Sequence, residues 1–134
     1  MAKESGALTV IIDDSSGSAR TLSATSITSL DISTPRGVQD VTSVSQTAMD
    51  RLLLLADYSA TFNGAFNDAS NDSHAVFSTA SSSSVARTTS VAHSGQTLAV
   101  EAFFTDYQIS RGTDGSLTIS APCVLTGGSV PTWS

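Results

Sequence analysis

Cysteine is almost missing from this sequence, and the absences narrow the field first. With Cys123 alone, there is neither an intrachain disulfide nor a thiolate zinc site. Charge is sparse: charged residues are 13% of the chain, against about a quarter in an ordinary globular protein. Six basic residues face twelve acidic ones, a formal charge of -6. Lys3, Arg20, Arg36, Arg51, Arg87 and Arg111 stand singly, which argues against a phosphate-gripping role, because nucleic-acid binders draw affinity from clustered cations that release counterions. Long apolar runs are lacking too. The longest, "LLLLA" at 52–56, is far below the ~18 residues of a membrane span, and "MAKESGALTV" has no adequate signal-peptide core. No membrane is expected, and the chain reads as soluble and made in a cytoplasm.

Catalytic signatures are missing as well: no glycine-rich phosphate loop ending in Lys, no Gly-x-Ser-x-Gly elbow, no His-Glu-x-x-His. The histidines are His74 and His93. A Ser-His-Asp set drawn from so many serines carries no information, and His93 reads as capping a strand end. Cys123 keeps the parity of Leu117, Ile119, Ala121 and Leu125, the position of a small buried hydrophobe. In "FNDASNDSH", Asn67, Asp68, Asn71 and Asp72 offer oxygens, but the glycine and closing Glu of the familiar calcium loop are missing. Helix capping explains the same residues, so no metal and no cofactor is expected. Phe62, Phe66, Phe77, Phe103, Phe104 and Tyr107 follow strand period without basic neighbours, which favours core packing over a base-stacking platform.

What is present is a period of two. In "ALTVIID", 7–13, Leu8, Val10 and Ile12 share a face. In 21–33, Leu22, Ala24, Leu30 and Ile32 share another, as one strand or two with a kink. Residues 34–50, "TPRGVQDVTSVSQTAMD", keep no steady period and read as a long irregular loop. From Leu52 through Phe66 one parity holds Leu52, Leu54, Ala56, Tyr58, Ala60, Phe62, Gly64 and Phe66, which predicts one unusually long strand. "NDASND" then caps a helix of about ten residues carrying Val76, Phe77 and Ala80. Strands follow in "VARTTSVAH" and "TLAVEAFFTDYQIS", the latter with a bulge near Thr105. Asp114-Gly115 makes a hairpin turn into "SLTISAPCVLTG". The expected fold is mostly β, an antiparallel sandwich or barrel of six or so strands with one short flanking helix, in a single domain spanning 1–134.

The four leucines sharpen this picture. On a strand with one buried face, Leu52 and Leu54 enter the core while Leu53 and Leu55 point outward, and leaving two leucines in water forgoes about 3–6 kcal/mol. A loop, the helix or another subunit is expected to cover them. Beyond Asp57 the same parity turns to Ser59, Thr61 and Asn63, a wet face.

"ALTVIID", "ATSITSLDIS", the block from "VQDVTSVSQTAMDRLLLLADYSATFNGAF" into "NDASNDSHAVFSTA", and "EAFFTDYQISRGTDGSLTISAPCVLTGG" together resemble the major tail proteins, or tail tube proteins, of long-tailed phages with non-contractile tails. The likeness runs over roughly residues 7–126. It implies a β-sandwich with one flanking helix that forms stacked hexameric rings around a tape-measure protein, later a conduit for DNA, in a virion tail assembled in the host cytoplasm and closed by a tail terminator. It also implies that the arm 1–7, the loop 34–50 and the tail 127–134 bridge subunits and rings. Pro35, Arg36, Val38, Val41, Val44 and Met49 of the loop join Leu53 and Leu55 as subunit-interface candidates, and Ser59, Thr61 and Asn63 become lumen-facing candidates. The net negative charge suits a conduit that repels DNA. The alternatives are an adhesin or carbohydrate-binding decoration domain, for which Trp133 in the tail is a poor platform, or a tail-terminator-type protein.

Overall fold

The structure, a computed structural model, describes residues 8–22, 27–68, 72–93, 95–127 and 130–134. The proposed N-terminal arm 1–7, Ala24, Asn71 and residues 128–129 of the tail lie outside that set. Among the described residues the chain is antiparallel β-structure with one short helix, as expected, but in ten strands where six or so were expected. The main sheet has eight strands, ordered β2-β1-β7-β8-β10-β6-β3, with β9 also paired to β10. In chain order these are β1 (Leu8–Asp13), β2 (Ala19–Leu22), β3 (Ser29–Ser33), β6 (Ser59–Ala65), β7 (Arg87–His93), β8 (Gln96–Phe104), β9 (Gln108–Arg111) and β10 (Leu117–Leu125). The remaining strands, β4 (Arg36–Asp40) and β5 (Arg51–Ala56), form a separate two-stranded ribbon.

Connectivity forces the main sheet to curl. β2 and β3 occupy its two ends, six strand spacings apart, which laid flat is roughly 29 Å at ~4.8 Å each. Seven residue steps join Leu22 to Ser29 and reach at most about 24 Å. The two wings therefore close over a shared core. Val10, Ile12, Val91, Leu98, Val100, Ala102 and Phe104 come from one side, and Ile119, Ala121, Cys123, Tyr58, Ala60 and Phe62 from the other. Alternation selects these side chains: β6 reads half-buried and buried in turn from Ser59 to Gly64, and β8 reads exposed and buried in turn from Ala99 to Phe104.

The helix α1 (Ser73–Phe77) has five residues, about half the expected length. Asp72 sits at its N-cap, where its carboxylate accepts from the Ser73 amide at 2.8 Å. Only turns follow in the serine-rich stretch beyond it, because Ser competes for backbone hydrogen bonds and favours caps and turns over helix interiors. Val76 and Phe77 plug the core, with Phe77 5.2 Å from Phe104 and 5.7 Å from Tyr107 between ring centroids. Phe103 departs from the expected aromatic core: it lies on the outer face of β8, beside Val124 of β10, and is exposed. Near Thr105 the strand ends rather than bulges, and three residues separate β8 from β9. The β9–β10 turn is as read, with Gly115 at φ +91, a backbone region other residues rarely enter.

Residues 51–66 are not one strand. At Asp57 the chain leaves the ribbon: its amide donates to the Pro35 carbonyl at 2.9 Å, and its carboxylate accepts from the Tyr58 amide at 2.7 Å. These bonds take residue 57 out of strand pairing, so β5 and β6 are separate strands. The stretch 34–50 is likewise strand in part, since β4 pairs with β5 around a bulge between Arg36 and Val38. The segment 21–33 resolves into β2 and β3, which belong to opposite edges of the sheet.

Candidate assembly surface

The consequence of the break at Asp57 is exposure. Leu52, Leu53, Leu54 and Leu55 are 54%, 53%, 40% and 90% exposed. The expectation that Leu52 and Leu54 enter the core is therefore corrected: β5 pairs only with β4, and neither leucine belongs to the core. Leu53 and Leu55 point outward as expected, but so do their neighbours.

The ribbon is a built element. Arg36 Nε donates to the Leu54 carbonyl at 2.8 Å, and the Val41 amide to the Asp50 carbonyl at 2.8 Å. At the tip, the Thr42 hydroxyl accepts from the Asp50 amide at 2.7 Å, while Gln46 accepts from the Ser43 amide at 2.6 Å and donates to the Asp50 carboxylate at 3.1 Å. The Thr42 hydroxyl and amide hold the Asp40 carboxyl below its usual range. On this frame the structure brings together Arg36, Val38, Val41, Val44, Met49, Leu53 and Leu55, all exposed, with Pro35 at the base. Leu52 and Leu54 join them unforeseen. The signal in the sequence was Arg51 before and Asp57 after the leucines, which bracket a strand separate from the next one.

Ser59, Thr61 and Asn63 occupy the outer face of β6. Through the register they lie beside Ser33, Asp31 and Ser29 of β3 and Val124, Pro122 and Ser120 of β10. Asp31 is the only charged side chain in this patch, and it is an anion.

The chemistry candidates fall elsewhere. Among the described residues no three His, Cys, Asp or Glu side chains lie together as metal ligands would. His74, in α1, packs with its ring centroid 4.8 Å from that of Phe66, and its Nδ1 lies 3.2 Å from the Tyr107 hydroxyl. His93 ends β7, opposite Gln96. Cys123 is buried beside Tyr58, and burial pushes its thiol up to about 12. Trp133 forms an antiparallel bridge to Leu98 at the β8 edge, and Ser134 exchanges backbone hydrogen bonds of 2.8 and 2.9 Å with Thr97. The end of the tail thus folds back on its own sheet.

No family model matches this sequence, and no curated protein matches it. Solved structures do. A chain from the tail of an empty gene transfer agent particle, with C6 symmetry, is similar at TM-score 0.73 and 19% identity, covering 95% of both chains. A chain of a native gene transfer agent virion is similar at 0.69 and 17%, covering 92% of this chain and 95% of the other. A chain of the six-fold symmetrised anti-feeding prophage baseplate is similar at 0.67 and 10%, covering 100% and 96%. At these identities the likeness lies in the fold: the sandwich described here is one that chains of phage-like tails and baseplates share.

Proposed function

We propose that this chain is a structural subunit of a phage-like tail tube, assembling with its own copies into stacked rings of six around a hollow conduit for DNA. The observation that carries the reading is the ribbon, an ordered element whose four leucines remain 40–90% exposed. A patch of that kind marks an interaction surface. The fold shared with a C6 tail chain supports a six-fold arrangement. The outer face of Ser59, Thr61 and Asn63, polar and without a cation, suits a lumen past which DNA slides without being held. In this reading the arm 1–7 and the segment 34–50 make the contacts between copies, while the end of the tail 127–134 stays paired with its own β8, with a tape-measure protein inside and a terminator at the end. The protein works as a scaffold, not as an enzyme.

Negative-stain microscopy and sedimentation over a wide concentration range test it. Rings of six and filaments are the expected result; a chain that stays monomeric at every concentration refutes the tube.

A further inference from the structure

The ribbon and the β9–β10 hairpin stand at opposite ends of one wing of the sheet. In the strand order β9-β10-β6-β3, Ser59 at the start of β6 lies beside Ser33 and Val124, next to the Pro35–Asp57 base of the ribbon. Ala65 at the end of β6 lies beside Thr118, one residue into β10 from the hairpin turn. Six residue steps separate these ends, roughly 20 Å at ~3.3 Å each.

Each end carries exposed apolar side chains beside one unpaired charge. On the hairpin, Ile109 faces Ile119 and Arg111 faces Leu117, so alternation puts all four on the core face of the sheet. Ile119 is buried, while Ile109, Arg111 and Leu117 are exposed, because the core ends before the hairpin does. The neighbouring Asp114 carboxylate accepts from the Ser116 amide and hydroxyl at 3.1 and 2.8 Å, and Arg111 makes no ion pair among the described residues. At the far end of the ribbon, Ser45, Thr47, Met49 and Asp50 line an open hollow. Asp40 stands opposite Arg51 in the ladder. The Asp50 carboxylate accepts from Gln46 at 3.1 Å and pairs with no cation among the described residues. Val44 and Met49 of the same tip are exposed.

We infer that the ribbon tip of one copy seats on the β9–β10 hairpin of the next, with Arg111 in the hollow against Asp50 and Leu117 against Met49. The inference rests on the tube reading and names the surface that its ribbon meets. Charge selects the partner, since a hollow walled by hydroxyls and a carboxylate takes a guanidinium. Arg20 is paired with Asp14 and Arg87 is buried, which leaves Arg111 as the one free guanidinium off the ribbon among the described residues. Position agrees: a copy displaced along the strands brings its hairpin end to the ribbon end of its neighbour. Phe103 and Val124, another exposed apolar pair on the sheet, stand beside Ser59 at the ribbon's own end, out of that path. Tip and hairpin are different surfaces of one chain, so the contact is head-to-tail and, running along the strands, stacks one ring on the next.

Charge reversal and cross-linking test it on the full chain. Because Arg111 is exposed, Arg111→Glu should leave rings of six intact and raise the concentration at which they stack by about tenfold, and adding Asp50→Arg should restore stacking. Met49→Cys with Leu117→Cys is oxidised after assembly with the buried Cys123 left in place. The expected product is a ladder of chains joined between positions 49 and 117, since a disulfide needs Cα atoms about 4.4–6.8 Å apart. Stacked rings without that ladder overturn the seating and leave the tube standing. Loss of the rings themselves in Arg111→Glu puts the contact within a ring and overturns the axial assignment. A double charge reversal that restores nothing overturns the Asp50–Arg111 pairing. An unaltered chain that forms no rings overturns the tube reading, and this inference with it.

Discussion

Arg87 is the residue that ties the helix to the sheet. It is 1% exposed in β7, yet no carboxylate pairs with it among the described residues. Its guanidinium donates to the Val76 carbonyl and, at 2.8 Å, to the Thr79 hydroxyl, with the Phe104 ring 6.0 Å away. The charge serves the unsatisfied carbonyls at the end of α1, and burial alone lowers its pKa, which for arginine leaves it protonated. Arg87→Ala removes these donors and opens a cavity, so a loss of about 3 kcal/mol is expected in urea unfolding; a loss within ~0.5 kcal/mol would mean that water replaces them freely. Tyr58 and Cys123 give a pH dependence. Both lose a proton on ionising, and burial raises the pKa of each, that of Cys123 to about 12. The folded state therefore binds these protons more tightly than the unfolded one, where cysteine ionises near ~8.5. Stability is fully present below that pH and falls as pH rises toward about 12. Urea midpoints measured from neutral to alkaline pH should show the fall, and Cys123→Ala should make it shallower; an equally steep fall removes the thiol from the account.

At the scale of elements, the ribbon β4–β5 is separable. Pro35 and Asp57 close its base with a hydrogen bond of 2.9 Å, and its leucines contribute no burial to the core. Replacing residues 36–56 by a short Gly/Ser link should change folding stability by about 1 kcal/mol or less while abolishing assembly, a pair of outcomes read by urea unfolding and sedimentation. Lost folding would show that the ribbon supports the sandwich; retained assembly would show that it joins no copies. This element was also the hardest to read. The parity that runs without interruption from Leu52 to Phe66 was legible, and it is correct from Tyr58 onward. Parity cannot show that Asp57 spends its hydrogen bonds on Pro35 and Tyr58, because that depends on residues 22 positions apart in the chain. The outer-face candidates Ser59, Thr61 and Asn63 were legible because alternation alone places them opposite Ala60 and Phe62.

At the scale of the whole molecule, charge is unevenly shared. The ribbon segment 36–56 holds Arg36 and Arg51 against Asp40 and Asp50 and is neutral, so the net -6 resides on the rest of the chain. Copies brought together repel through the body and attract through apolar surface. Assembly should therefore strengthen as salt rises from roughly 0.05 to 0.5 M, because screening weakens the repulsion between negatively charged bodies and leaves apolar attraction in place. Sedimentation at the two salt concentrations measures this. Weaker assembly at high salt would point to an interface held mainly by ion pairs.

Composition and alternation, properties of the sequence alone, determined the fold class, the core side chains of β6, β8 and β10, the turn at Gly115 and the wide spacing of the basic residues along the chain. They suffice because burial on a strand follows a period of two whatever the strand pairs with. Tertiary structure alone decided which strand each segment pairs with, and so whether a leucine at a buried parity is buried at all. Leu52 and Tyr58 share that parity; Tyr58 is buried in the core, and Leu52, paired with Gln39 on the ribbon, stays exposed.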